Sequence, residues 1–225
     1  MRVHAVPLGL SQAYLLESDA GLVLIDAGSP HQERVILRHL RVLRSADASP
    51  PNLQLIFITH AHLDHYGSAA ALRRLTGAPV AIHHADAEAM ARGETRIGSA
   101  RGKGKVMSVL LPLVEFCFRP EPVKADILLE DRDCLDNYGL EARVIHTPGH
   151  TLGSVSILFE NGEAIVGDLA MSAKYMRLSP GIPIFAEDIS LIKPSWQKLL
   201  DLGAKMIYPA HGKPFSVEVF HKQLG

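Results

Sequence analysis

Short apolar runs alternate with turn-forming residues over the first part of the chain. Residues 13–17 and 22–25 are two such runs, and the Ser-Asp-Ala-Gly sequence between them is typical of a hairpin turn. Apolar side chains then recur at helical spacing over residues 35–43, and the Ser-Pro-Pro sequence at 49–51 predicts that this helix has ended. This part of the chain is therefore predicted to form a strand meander followed by an amphipathic helix.

Continuous apolar runs predict buried strands further along the chain, with helices between them. The expected elements are strands at 53–58 and 79–82 around a helix at 69–75, hairpins of 126–135 with 140–147 and of 154–159 with 164–166, a helix at 196–202 and a strand at 205–208. Since each half of the chain contains strands and then a helix, we predict an α+β fold with two sheets face to face and helices outside. This is a four-layer αββα sandwich, with residues 1–225 as a single domain.

One segment departs from this pattern. Residues 92–105 combine five basic side chains with four glycines and lead into the apolar residues 106–118. We expect an insertion or lid at about 92–125. The basic part would either bind an anionic group of the substrate or form a plain solvated loop. The apolar part suits a wall of a substrate pocket, the contact surface of a homodimer, or core packing.

Composition and charge narrow the class of protein. Lysine plus arginine (23) and aspartate plus glutamate (24) nearly cancel, so no overall field favours nucleic acid or an anionic membrane. The two cysteines are too few for a disulfide scaffold or a structural zinc knot. We see no signal-peptide core and no apolar stretch approaching the ~20 residues of a membrane span. A cytoplasmic protein with a small-molecule substrate, no membrane span and no nucleic-acid partner is the expectation.

The run predicted as a strand at 53–58 leads directly into a dense group of metal-binding side chains. His60, His62, Asp64 and His65 lie within six residues. Imidazole and carboxylate are the ligand types that suit zinc, manganese or ferrous iron. Buried together, these four polar groups would each need a partner, and a metal ion satisfies all of them at once. The end of a buried strand is also where open α/β sheets bind their ligands.

Three later residues extend this candidate site. His150, Asp168 and His211 each follow an apolar strand and have glycine or proline beside them, as tight turns require. Because all three end strands, we expect them to converge on one rim of the sandwich. Nitrogen and oxygen ligands that leave a position for solvent are typical of catalytic zinc sites, whereas structural sites are closed and rich in thiolate.

These motifs resemble those of the metallo-β-lactamase-fold superfamily, especially its glyoxalase II-like hydrolase branch. Any one motif would be weak evidence, but five of them occur in the order of the family. They are Leu24-Ile25-Asp26-Ala27-Gly28, His60-Ala61-His62-Leu63-Asp64-His65, Thr147-Pro148-Gly149-His150-Thr151, Gly167-Asp168 and Pro209-Ala210-His211-Gly212.

The resemblance implies a dinuclear centre, with zinc favoured and iron or manganese as alternatives. It assigns His60, His62 and His150 to one divalent metal ion, Asp64, His65 and His211 to a second, and Asp168 together with a hydroxide to a bridge between them. Asp26 would accept the free N–H of a ligand imidazole and so fix its tautomer. Asp64 would also relay a proton to the leaving group.

The function implied is hydrolysis of a small ester, thioester or lactone by the bridging hydroxide. The alternative is an oxidoreductase with a single iron, because sulfur (persulfide) dioxygenases of the superfamily resemble this sequence in the same motifs. A metal-binding module without turnover is a third reading. Candidate substrate contacts outside the ligand set are His83, His84 and Tyr175, although structural roles are favoured for all three.

Overall fold

The computed structural model describes residues 1–43, 53–96, 98–100 and 118–225. The strands are β1 (Arg2–Pro7), β2 (Gln12–Ser18), β3 (Gly21–Ile25), β4 (Leu53–Phe57), β5 (Val80–His83), β6 (Ser99–Ala100), β7 (Ile127–Leu129), β8 (Ala142–His146), β9 (Val155–Phe159), β10 (Glu163–Gly167), β11 (Arg177–Ser179), β12 (Ile182–Pro183), β13 (Phe185–Ala186), β14 (Met206–Pro209) and β15 (Phe215–Ser216). The helices are α1 (Glu33–Val42), α2 (Leu63–Tyr66), α3 (Ala69–Thr76), α4 (His84–Arg92), α5 (Ile192–Asp201) and α6 (Glu218–Leu224).

The first sheet has the strand order β1-β2-β3-β4-β5-β7. The first three strands form the antiparallel meander expected from the sequence, and the remaining pairs are parallel, so helices must return the chain across one face. Alternate side chains of each strand point to opposite faces. Leu24 and Ile56 therefore pack under the helices, while Ile25 and Phe57 face the second sheet.

The second sheet has the order β15-β14-β10-β9-β8. Val144 and Ile157 complete the core between the two sheets. On the outer face, Ile145 and Ile207 pack against Trp196 of α5. Helices thus cover both outer faces, and the predicted four-layer αββα sandwich is confirmed. No helix in the described parts of the chain has the length and apolar character needed to cross a membrane.

One predicted hairpin is wrong. The segments at 126–135 and 140–147 do not form a hairpin of one sheet, because β7 pairs with β5 of the first sheet and β8 pairs with β9 of the second. Asp126 anchors the start of β7, since its backbone N–H donates to the Val80 carbonyl and its side chain accepts the Val80 N–H at 2.9 Å. Part of the expected pairing remains near the turn, where Cys134 forms a bridge with Arg143 and backbone hydrogen bonds join residues 132–135 to residues 142–144.

Two helices also differ from the sequence pattern. Helix α5 begins at Ile192 rather than at Trp196, with Pro194 in its first turn, where a missing N–H breaks no helical hydrogen bond. Helix α4 begins directly after β5 and was not predicted. The predicted insertion at 92–125 is described only in part, since residues 101–117 lie outside the described residues.

Candidate metal centre

The seven candidate ligands meet at one edge of the sandwich, beyond the ends of the strands that lead to them. Six of the side chains are buried, and Asp64 is the exception with 27% of its side chain exposed. This partial exposure opens the centre to solvent on the Asp64 side. His60 and His62 follow β4, Asp64 and His65 lie in α2, His150 follows β8, Asp168 follows β10 and His211 follows β14.

His60, His62 and His150 form a three-histidine group. One nitrogen of each ring lies within 4.8 Å of a nitrogen of the others. His150 Nε2 is 3.0 Å from His62 Nδ1, and each pair of rings meets edge to face. Nitrogen lone pairs that converge in this way suit a shared metal ion.

Asp64, His65 and His211 form a second group with the same spacing. Asp64 Oδ2 is 3.2 Å from His211 Nε2 and 3.7 Å from His65 Nε2. Asp168 lies between the two groups. Its Oδ2 is 3.4 Å from His150 Nε2 and 3.3 Å from His211 Nε2, and its Oδ1 is 3.5 Å from His65 Nε2.

The outward-facing nitrogens of three histidines contact backbone carbonyls. Each such nitrogen donates its proton to the carbonyl, so the opposite nitrogen is the one aimed at the centre and is the one that would bind a metal ion. The pairs are His62 Nε2 with Arg96, His150 Nδ1 with Phe185 and His211 Nδ1 with Leu10, each at 2.9 Å.

Asp26 orients the second group from behind. Its Oδ2 accepts the Nδ1 proton of His65 at 2.8 Å, and its Oδ1 accepts the backbone N–H of Thr59 at 2.8 Å. The Thr59 hydroxyl lies within hydrogen-bond distance of both Asp26 oxygens and of His60 Nδ1. The buried carboxylate thus contacts one candidate ligand directly and a second through Thr59.

The fit to metal ions can be tested on buried polar atoms that form no hydrogen bond. Among the described residues, four buried side-chain atoms lack a hydrogen bond, namely Nε2 of His60, His65 and His211 and Oδ1 of Asp168. A buried polar atom without a partner is costly, and its presence requires an explanation. All four belong to the same cluster, and imidazole nitrogen with carboxylate oxygen is a donor set that divalent metal ions accept. The residues therefore fit a centre of divalent metal ions.

In the protein without metal, the histidines of the cluster fall into two classes by their pKa values. Burial lowers the pKa of His150 to about 3 and that of His60 well below its ordinary value, so both rings are neutral near pH 7. Burial also acts to lower the pKa of His211, but the carboxylates of Asp168 and Asp64 outweigh it and raise that pKa to about 10. The side of the cluster that holds the carboxylates is thus the side that keeps protons when no metal ion competes.

Other candidates from the sequence have structural partners. His83 is buried, its Nδ1 accepts the Ala85 N–H at the start of α4, and its ring stacks on His146 at 4.2 Å. His84 pairs with Glu130 at the surface. The Tyr175 hydroxyl lies 3.4 Å from the Leu10 carbonyl, to which it donates a hydrogen bond.

Sequence reasoning missed Asp86. This carboxylate is 3% exposed and accepts hydrogen bonds from both loops that carry the three-histidine group. Its only sequence signal is an acidic residue in the first turn of a helix, and the helix itself was not predicted.

Comparisons with known proteins agree with the fold and the motifs. Residues 6–211 match the family model of the metallo-β-lactamase superfamily. A human relative called acyl-coenzyme A thioesterase MBLAC2 is 29% identical over 73% of this chain and 58% of its own length. A probable metallo-hydrolase of Bacillus subtilis, YflN, is 25% identical over 99% of this chain and 88% of its own.

Structural similarity extends along the whole chain. The metallo-β-lactamase family protein TTHA1429 from Thermus thermophilus superposes with a TM-score of 0.71 at 22% identity, covering 99% of this chain and 78% of that one. At that identity the likeness concerns the fold. The chain spans 60% of the length of a Drosophila melanogaster relative called beta-lactamase-like protein 2 homolog and 58% of the length of the human relative, so the activity of those longer proteins does not transfer to it directly.

Proposed function

The chain belongs to the metallo-β-lactamase superfamily, a family of metallo-hydrolases, and we propose that it holds two divalent metal ions and hydrolyses a small ester, thioester or lactone. The observation that carries the proposal is the pairing of two three-ligand groups with a carboxylate between them. A single structural ion would need only one of these groups.

The assignment of ligands follows from which atoms face the centre. His60 Nε2, His62 Nδ1 and His150 Nε2 would hold one ion, and a carboxylate oxygen of Asp64 with Nε2 of His65 and of His211 would hold the other. Asp168 would bridge the two ions, since its Oδ1 and Oδ2 already approach members of both groups. Zinc suits this set of nitrogen and oxygen ligands, and iron or manganese would also be accepted.

When bound, two such ions supply a nucleophile at neutral pH by lowering the pKa of a shared water, and they polarise the substrate carbonyl. The protein holds them in place with buried imidazoles whose far nitrogens are fixed by carbonyls and by Asp26. Asp64 is the most exposed of the candidate ligands, so it is the one placed to exchange protons with substrate and solvent. We assign it the transfer of a proton from the attacking water to the leaving group.

Two exposed apolar side chains on segments next to the ligand residues would suit the acyl part of such a substrate. Leu10 is 68% exposed, although its carbonyl contacts the ring of His211. Leu152, two residues after His150, is also exposed. The human relative is called an acyl-coenzyme A thioesterase, which favours a thioester among the three substrate classes.

The experiment combines a metal count with a substrate screen. Protein purified without added metal, and then reconstituted with zinc, iron or manganese, is tested on ester, thioester, lactone, phosphodiester and β-lactam substrates. We expect two ions per chain and turnover of a carboxylic ester, thioester or lactone. One iron per chain with oxygen consumption on persulfides would instead favour the dioxygenase.

A substitution tests the bridge separately. Asp168→Ala should lower metal content and reduce turnover by at least the 10–100-fold typical of disturbed metal sites. Asp201→Ala on the surface of α5 is the matched control and should behave as the wild type. If Asp168→Ala kept two ions and full turnover, the bridging assignment would be wrong.

A further inference from the structure

We propose that Asp86 is a positioning residue that sets the distance between the two loops of the three-histidine group. The inference rests on the proposed function, because it concerns the hold of that group on its metal ion. Asp86 itself contacts none of the seven candidate ligand side chains in the described structure. It would therefore act only through the backbone that carries them.

The contacts of Asp86 join two segments that are far apart in sequence. Its Oδ2 accepts the backbone N–H of Ala61 at 2.8 Å, and Ala61 lies between His60 and His62. The same oxygen accepts the hydroxyl of Thr151 at 2.7 Å, next to His150. Through one carboxylate oxygen, both loops of the three-histidine group are held at a fixed separation.

The other oxygen binds the His150 loop a second time. Oδ1 of Asp86 accepts the backbone N–H of Gly153 at 3.0 Å. A Cβ atom at position 153 would lie 2.5 Å from Asp86 Cγ and 2.7 Å from its Cβ, well inside any real contact. The backbone of this loop can approach the carboxylate so closely only because residue 153 is glycine. Two neighbouring loops are thus shaped around Asp86.

The position of Asp86 in the fold explains why a carboxylate can be buried there. It is the third residue of α4, and the N-terminus of a helix favours negative charge. The three donors from Ala61, Thr151 and Gly153 replace the water that burial removes. A rigid helix start, fixed at the end of β5, is a better support for two loops than the loops are for each other.

The second ligand group has different supports. His65 is held by Asp26, and His211 by the Leu10 carbonyl. The loss of Asp86 should therefore weaken the binding of a metal ion at the three-histidine group and leave binding at the second group nearly unchanged. A residue needed only for general stability would not produce this asymmetry.

The test compares metal affinities at the two groups in Asp86→Ala and Asp86→Asn. Cobalt(II) is the probe, because its visible absorption reports each site and titration gives the affinities. We expect Asp86→Ala to weaken the three-histidine group 10–100-fold and to leave the other group within about threefold. Asp86→Asn should have a smaller effect, since one oxygen remains while the amide N–H group faces a donor. Gly153→Ala should act in the same direction as Asp86→Ala by displacing the carboxylate.

Two further measurements distinguish a failure of this proposal from a failure of the proposed function. His150→Ala should abolish binding at the three-histidine group, and if it does not, the ligand assignment fails. In that case, amide hydrogen exchange in the metal-free protein still tests the role of Asp86. Asp86→Ala should then speed exchange at Ala61 and Gly153 at least tenfold relative to wild type.

The control removes a comparable carboxylate from the other end of β5. Asp126 accepts the Val80 N–H and pairs with Arg73, so Asp126→Ala should destabilise the fold without changing the ratio of the two cobalt affinities. The proposal for Asp86 is overturned if Asp86→Ala weakens both groups equally or neither, or if the amides of Ala61 and Gly153 stay protected.

Discussion

Asp26 Oδ2 accepts the Nδ1 proton of His65 at 2.8 Å, and both side chains are buried. Asp26 adopts a φ of 61°, in the left-handed region that residues other than glycine rarely occupy. This backbone conformation costs about 1–3 kcal/mol when it is held by its surroundings. Contacts with His65 and Thr59 are what hold the carboxylate in this position. The strain and the orientation of a candidate ligand are therefore coupled.

The first prediction follows from this contact. Asparagine tolerates the same backbone conformation, so Asp26→Asn should keep the turn. Its amide nitrogen cannot accept the His65 proton, and the ring loses its fixed tautomer. We expect the second metal ion, at the group of Asp64, His65 and His211, to bind 10–100-fold more weakly while the three-histidine group changes less. Cobalt titration measures both affinities, and equal weakening at the two groups would contradict the prediction.

The sequence was sufficient to predict the layers of the fold. Apolar runs such as those ending at Ile25 and Phe57 mark buried strands, because only strands covered on both faces need continuous apolar side chains. The order of motifs was sufficient to place the candidate ligands at one rim, where the structure brings their side chains together.

The missed features depend on contacts between distant parts of the chain. The hairpin predicted between 126–135 and 140–147 fails because an apolar run does not reveal which of two sheets a strand joins. Asp86 was missed because its partners are backbone N–H groups of two distant loops, and backbone groups leave no mark in a sequence. The glycine at 153 would have been a signal only once its neighbour was known.

The second prediction concerns pH and the protein without metal. The carboxylates of Asp168 and Asp64 outweigh the effect of burial on His211 and raise its pKa from the ordinary 6.5 to about 10. A group whose pKa is higher in the folded state stabilises the fold below the unfolded pKa and loses that contribution as pH rises through the folded value. The free energy of unfolding of chelator-treated protein should therefore fall between pH 6.5 and about pH 10, as measured by urea denaturation.

His211→Gln is the control for this effect, and its unfolding free energy should depend less on pH over the same interval. Metal binding should show the opposite trend, since the imidazole must lose its proton to become a ligand and affinity then rises with pH. An unfolding free energy that rose from pH 6.5 to pH 10 in the metal-free wild type would contradict the assignment of the raised pKa to His211.

The third prediction compares two glycines with similar backbone angles. Gly212 has a φ of 110° and Gly203 a φ of 92°, so alanine is strained at both positions by about 1–2 kcal/mol. A Cβ atom at Gly203 would meet nothing within 4 Å among the atoms described. One at Gly212 would lie 2.5 Å from the Ala173 nitrogen, which donates to the His211 carbonyl.

Gly212→Ala should therefore cost a further ~1–3 kcal/mol from overpacking and should weaken metal binding through His211. Gly203→Ala should lower stability alone. Thermal unfolding and a metal titration on both variants separate strain from displacement of the ligand. Equal metal affinities in the two variants would show that the loop after His211 can move without disturbing the ring.

The last prediction concerns the support of Asp168 from the outer helices. Trp196 is fully buried, its Nε1 donates to the carbonyl of Leu169 at 3.1 Å, and its ring stacks on Phe220 at 4.3 Å. Trp196→Phe keeps most of the apolar volume but leaves the Leu169 carbonyl without this donor, at a cost of about 1–3 kcal/mol. Because Leu169 follows Asp168 directly, we expect metal affinity to fall as well.

Phe220→Leu is the control for this prediction. It removes the stacked ring and keeps the hydrogen bond, so it should reduce stability with little change in metal affinity. Since Trp196 is the single tryptophan, unfolding is followed by circular dichroism rather than by fluorescence. If Phe220→Leu weakened metal binding as much as Trp196→Phe did, the effect would come from core packing and not from the bond to Leu169.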